Sequence, residues 1–164
     1  MPRAVLPELP IPLISYATAR IPEKRGTGTA VQLQLLAQTF RGPGGNVTHG
    51  NNTLVTNANL DPPGVYRVDL SATLRVVNQP SQHESLAMEV RDGTGNIILL
   101  LKSFFPAQTP TGGEVTVSSH VVQIDFRANN NYSVWFTGSR NVEVTQGNFS
   151  LTQLATPEMI VVPF

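Results

Sequence analysis

Three histidines, His49, His83 and His120, are the side chains of this 164-residue chain best suited to proton transfer or metal binding, and none stands at ligand spacing from a carboxylate. A zinc-type site gathers three or four donors, commonly in pairs on one short segment. Here it would have to be assembled from separate strands. Ser119 adjoins His120, but neighbours in a strand point to opposite faces and cannot serve as nucleophile and base. No Gly-x-Ser-x-Gly turn occurs. Asp69, Glu89 and Asp125 occupy the polar positions of alternating stretches, where water or a cross-strand partner accounts for them. The stretch DGTGN at 92–96 begins like a calcium loop but lacks the later Glu and the alternating Asp or Asn, so it reads as a turn. The glycines of RGTGT (25–29) and RGPGG (41–45) do not fit a phosphate loop. Cysteine is absent, which excludes disulfides, thiolate chemistry and Cys-ligated zinc. The sequence therefore predicts a protein that is not an enzyme and holds no cofactor and no metal.

The elements carrying these residues are strands. In 64–77, GVYRVDLSATLRVV, apolar residues recur at every second position from Tyr66 to Val76, with Arg67, Asp69, Ser71, Thr73 and Arg75 between them. That is a one-faced strand of about 12 residues, roughly 40 Å long at ~3.3 Å per residue. Val31, Leu33, Leu35 and Ala37 predict an earlier strand ending near Phe40, and TLVTNANL (53–60) a short irregular one. Leu86, Met88 and Val90 lead into DGTGN, and Ile97 to Leu101 return as a hairpin. The run IILLL does not alternate, which implies cover on both faces, by a second layer or by another chain. FFPAQTPTGG (104–113) reads as a loop. A second hairpin is expected from 115–127 and 132–137; its first arm changes phase near Ser119 and His120, as a β-bulge would make it do. NFSLTQL (148–154) is the last strand. The absence of 3.6-residue periodicity predicts an all-β, antiparallel sandwich of the jelly-roll or immunoglobulin kind.

Residues 1–30 contain five prolines and read as an extended N-terminal arm; 31–155 form the sandwich and 156–164 an apolar tail. Val5, Leu6, Leu9, Ile11, Leu13, Ile14 and Tyr16 are too apolar for a solvated linker. With Ile160, Val161, Val162 and Phe164 they are the candidate arm and tail contacts, on the chain's own domain or on a neighbour. Pro2, Pro7, Pro10 and Pro12 break a helical signal segment, and IILLL is far short of the about 20 residues that span a bilayer; neither a leader nor membrane insertion is expected. The net charge is +0 and 13% of residues are charged, about half the usual share of about 25%. No basic run tracks a phosphate backbone, so no nucleic-acid partner is expected.

Three segments together resemble the tumour-necrosis-factor-like and complement-type globular heads: GVYRVDLSATLRVV (64–77) their entry strand, VVQIDFRANNNYSVWF (121–136) their hairpin of a hydrophobic strand, a tight turn and a second strand, and FSLTQL (149–154) their closing strand. ANNN stands where many members have Ala-Gly-Asp, and Thr152-Gln153 where a hydrophobic pair is usual. The resemblance implies a jelly roll that associates as a homotrimer, with Ile97, Ile98, Leu99, Leu100, Leu101, Tyr132, Trp135 and Phe136 as candidates for the interface. The low charge, the missing cysteine and the Pro-rich arm resemble in character the jelly-roll capsid decoration (cement) proteins of tailed phages. A homotrimer on the major capsid protein shell, at the virion surface and made in the host cytoplasm, is the function this implies. A trimeric receptor- or glycan-binding head of a virion, with exposed aromatics such as Phe104 and Phe105, is one alternative. A secreted complement- or tumour-necrosis-factor-like ligand is another, and sequons at Asn46, Asn51, Asn131 and Asn148 would then carry glycans. A shell-forming coat protein would need a more basic arm than Arg3, Arg20, Lys24 and Arg25 provide.

Overall fold

The computed structural model describes residues 16–39, 47–56, 64–125 and 130–155. These form twelve strands: β1 Tyr16–Ile21, β2 Lys24–Arg25, β3 Val31–Gln32, β4 Leu36–Thr39, β5 Val47–His49, β6 Leu54–Thr56, β7 Gly64–Val76, β8 Glu84–Arg91, β9 Ile97–Phe105, β10 Glu114–Asp125, β11 Asn131–Thr137 and β12 Val142–Ala155. One sheet, here the front sheet, runs β10-β7-β12-β1-β4, with β2 against β12; the back sheet runs β5-β6-β11-β8-β9, with β3 against β11. Every pairing is antiparallel. The chain passes repeatedly between sheets, which is the jelly-roll wiring expected from the alternating pattern.

The long strand β7 lies between β10 and β12, and its alternation holds along its whole length. Tyr66, Val68, Leu70, Ala72, Leu74 and Val76 turn inward and meet Leu86, Met88, Val90, Val134 and Phe136 of the back sheet in one core. Each large side chain removed from water there contributes about 1.5–3 kcal/mol. Where β12 crosses β7 the backbone needs a residue without a side chain: a Cβ on Gly147 would lie 2.9 Å from the Ser71 carbonyl oxygen and 3.1 Å from Ile21 Cδ1. At the other end of that crossing Glu143 is buried on the outer side and accepts hydrogen bonds from Arg75. The carboxylate raises the Arg75 pKa, first through that hydrogen bond and then through its charge, so Arg75 stays cationic at any working pH.

Six expectations change. The strand expected from Val31 to near Phe40 is two, β3 against β11 in the back sheet and β4 against β1 in the front sheet. Residues 16–30 belong to the sandwich: β1 pairs with β12 and β4, with Ala17, Ala19 and Ile21 buried. Alanines give a weak strand signal, and the prolines before them hid it. The stretches 115–127 and 132–137 are not a hairpin, since β10 pairs with β7 in one sheet and β11 with β8 in the other. No bulge interrupts β10, whose register with β7 is continuous from Glu114 to Asp125. The shifts lie elsewhere: Arg91 faces Ile97 and Val90 faces Leu99, leaving Ile98 as the extra residue of β9, and β12 shifts between Val144 and Gln146 and again between Gln153 and Ala155. β9 continues through Phe104 and Phe105, and β12 begins at Val142. The first of those shifts moves the inward positions from even to odd numbers, which disguised the first half of that strand.

Candidate functional site

The residues capable of chemistry are dispersed and engaged. His49 Nε2 lies 2.8 Å from the Thr18 carbonyl oxygen, and His83 Nε2 lies 3.2 Å from Ser85 Oγ. His120 faces Asp69 across the β10–β7 register, but that carboxylate accepts from Arg67 Nε at 2.9 Å and Ser150 Oγ at 3.4 Å. Glu89 is paired with Arg91, whose guanidinium sits 4.2 Å from the centre of the Trp135 ring. The Asp92 carboxylate closes its own turn, accepting from Thr94 N, Thr94 Oγ1 and Asn96 N. The side chain of Asp125 lies outside the described residues. Among the described residues no three His, Asp or Glu side chains are grouped to hold a metal. What the fold offers instead is surface.

β9 ends the back sheet and β10 the front sheet, and the two strands lie near each other on one side of the sandwich. Among the described residues each therefore carries one row of backbone groups with no strand partner, the feature through which sheets recruit further chains. β9 is also bare in side chains: Ile97 is 49% and Leu100 44% exposed, and Ile98, Leu99 and Leu101 are only partly covered. The unbroken apolar run has two causes. Leu99 and Leu101 point inward, Leu100 points outward, and the bulge turns Ile98 onto the core as well. Its outward residues are only about half covered by the described residues of their own chain.

The outer face of the front sheet is the second surface. Cross-strand registers align Tyr16, Thr152, Arg67 and Val122 in one row, Thr18, Ser150, Asp69 and His120 in the next, and Arg20, Asn148, Ser71 and Ser118 in a third. Small side chains leave a hollow of about 340 Å³ over Ser71, Ser118 and Asn148. At the Tyr16 end the face turns apolar, with Val122 52% and Ile124 54% exposed beside Leu154. The phase change in β10 was the sequence signal for this patch: with no bulge to absorb it, the even-numbered apolar residues must lie outside.

Of the residues named from sequence, Ile97 to Leu101 lie together on the free edge. Tyr132 and Phe136 do not join them, because both are buried in the core of the single chain and have no surface to give a partner. Trp135 is on the outer face of the back sheet, half-buried under Arg91. Tyr16 is 39% exposed at the start of β1. Val5, Leu6, Leu9, Ile11, Leu13, Ile14, Ile160, Val161, Val162 and Phe164 lie outside the described residues. Of the aromatic pair after Lys102, Phe105 is buried and Phe104 exposed.

No family model and no curated protein sequence matches the chain. Among solved structures it is similar to murine APRIL in crystals at pH 8.0 and at pH 8.5, with TM-scores of 0.54 and 0.55. Each match covers 86% of this chain and 99% of that chain at 9% sequence identity. At that identity the likeness is one of fold. The architecture is the tumour-necrosis-factor-like jelly roll that the three sequence segments resemble.

Proposed function

We propose that this chain is a non-enzymatic head that works as a homotrimer, with the free β9 and β10 edges of each copy seated on the outer face of the next copy's front sheet. The observation that carries the reading is the bare edge: nine residues of β9 without Pro, with Lys102 as their one charge, and with Ile97 and Leu100 in water. Native sheets cover or charge such edges. An edge on one copy meeting a different surface on the next is a heterologous contact, and such contacts close into rings when the rotation permits. The small side chains over the hollow leave room for an incoming strand, and the apolar end around Val122 and Ile124 provides area to bury. The tumour-necrosis-factor-like fold supports three as the number.

We place this head at a virion surface, as a decoration protein on a capsid shell. The reading draws on the sequence: low charge, no cysteine, and apolar residues in 1–15 and 156–164 on either side of the sandwich. Linking such a segment to a docked head raises its effective concentration at a neighbour. A secreted ligand is the reading that the likeness to murine APRIL favours, but Asn148-Phe149-Ser150 puts a glycan acceptor in the middle of the proposed contact face. A chain glycosylated there could not close the trimer.

Light scattering on a sizing column tests the first part: a mass of three chains is expected, and a monomer at micromolar concentration overturns it. Deleting residues 1–15 tests the second, because the trimer should persist while co-purification with capsids is lost. Unchanged occupancy would remove the arm from the docking role.

A further inference from the structure

The far end of β9, away from the Asp92 turn and from Ile97 and Leu100, carries a feature beyond that apolar run. His83, just before β8, stacks on Phe104, near the end of β9, with ring centres 4.8 Å apart and planes 14° from parallel. Phe104 is 55% exposed, more than any other large hydrophobic residue among those described. The two rings border a hollow of about 210 Å³ whose other walls are Ser85, Leu86, Lys102 and Ser103. The ionisable groups lining it are Lys102 and His83, and no carboxylate is among them. Among the described residues Lys102 makes no ion pair. Of the two acids of β8, Glu84 accepts a hydrogen bond from Asn141 Nδ2 at 2.9 Å, and Glu89, two positions from the residue facing Lys102, is paired with Arg91.

We propose that this shelf binds one carboxylate-bearing sugar residue, of the uronate or sialate kind, at the end of a glycan. A flat apolar plate left in water matches the C–H face of a pyranose ring, which sheds its hydration cheaply. A single ammonium with three donors matches a carboxylate, and the Ser85 hydroxyl matches a ring hydroxyl. Charge selects the acidic sugar over the neutral one, because nothing anionic lines the hollow to repel it. Size selects one residue: 210 Å³ is below the roughly 300–1,000 Å³ of sites that enclose a drug-sized ligand. The inference does not require three copies, so it stands or falls separately from the trimer.

The experiment is saturation-transfer NMR and calorimetry on the full chain, with methyl glucuronide against methyl glucoside. Binding in the millimolar range, a few kcal/mol in total, is expected for the glucuronide, with the glucoside about tenfold weaker. Phe104→Ala and Lys102→Gln should each abolish the signal while leaving the melting temperature unchanged. Absence of binding, equal binding of the two sugars, or full binding by Phe104→Ala overturns the assignment. So does a change of mass in Phe104→Ala without sugar binding by the parent chain, which would assign the ring to the contact between copies.

Discussion

Replacing Ile97 and Leu100 together by serine should dissociate the assembly and leave the fold intact. About half of each side chain is open to water in the single chain, 49% for Ile97 and 44% for Leu100. Burying a whole aliphatic side chain yields about 1.5–3 kcal/mol, so the exposed half of each offers roughly 1 kcal/mol to a neighbour. Two such residues in three copies amount to roughly 6 kcal/mol per trimer, or about four powers of ten in its association constant. The same substitutions cost the monomer roughly 1 kcal/mol each, because the other half of each side chain is covered by its own chain. Sedimentation equilibrium across a dilution series reads the first effect, and thermal unfolding at a concentration where both proteins are monomeric reads the second. Equal mass for parent and variant throughout the series would refute the edge as the contact. A fall in monomer melting temperature as large as that of a core truncation would show instead that these residues are part of the chain's own core.

Three further outcomes follow from the same geometry. Phe149→Ala empties a fully buried site opposite Leu70 and Ala19; it should cost about 3–5 kcal/mol and lower the melting temperature by about 10 °C, measured by calorimetry. Gly147→Ala drives a methyl against the Ser71 carbonyl oxygen at 2.9 Å, a backbone atom that cannot step aside. A loss of about 1–3 kcal/mol is expected in the denaturant midpoint with the slope unchanged. Produced through a eukaryotic secretory route and glycosylated at Asn148, the chain should run as a glycosylated monomer, and Ser150→Ala should restore the trimer mass; a glycosylated trimer would move the contact off the front sheet.

Legibility from sequence followed the regularity of the strands. β7 was readable almost to the residue because thirteen positions keep one phase and nothing in its register with β10 breaks it. β1 was not, because two of its three inward residues are alanines, and β12 was half lost because a bulge reverses its phase after Val144. Pairing was harder than strand identity. β10 and β11 are joined by a short turn-like stretch that looks like a hairpin, yet they enter different sheets, and local sequence does not distinguish a turn within a sheet from a crossing between two. For the surfaces, composition identified the edge run but could not separate it from core. Tyr132 and Phe136 count as hydrophobic just as Ile97 and Leu100 do, and their burial depends on which way a phase points across the sandwich.

The bulge at Ile98 clarifies why that edge has the composition it does. In a regular strand with one covered face, every second residue can be polar, and an apolar run of five would be an aggregation hazard with no structural return. Here the inserted residue turns Ile98 onto the core along with Leu99 and Leu101, so three of the five are accounted for by the single chain. Ile97 and Leu100 are what remains. Lysine at those two positions, its stem laid along the sheet and its ammonium in water, would keep much of the cover they give the chain and would blunt the edge as other sheets do. That the outward positions are aliphatic is therefore the part of the run that the monomer's own stability does not explain, and the substitution of those two residues alone separates what the fold needs from what an assembly needs.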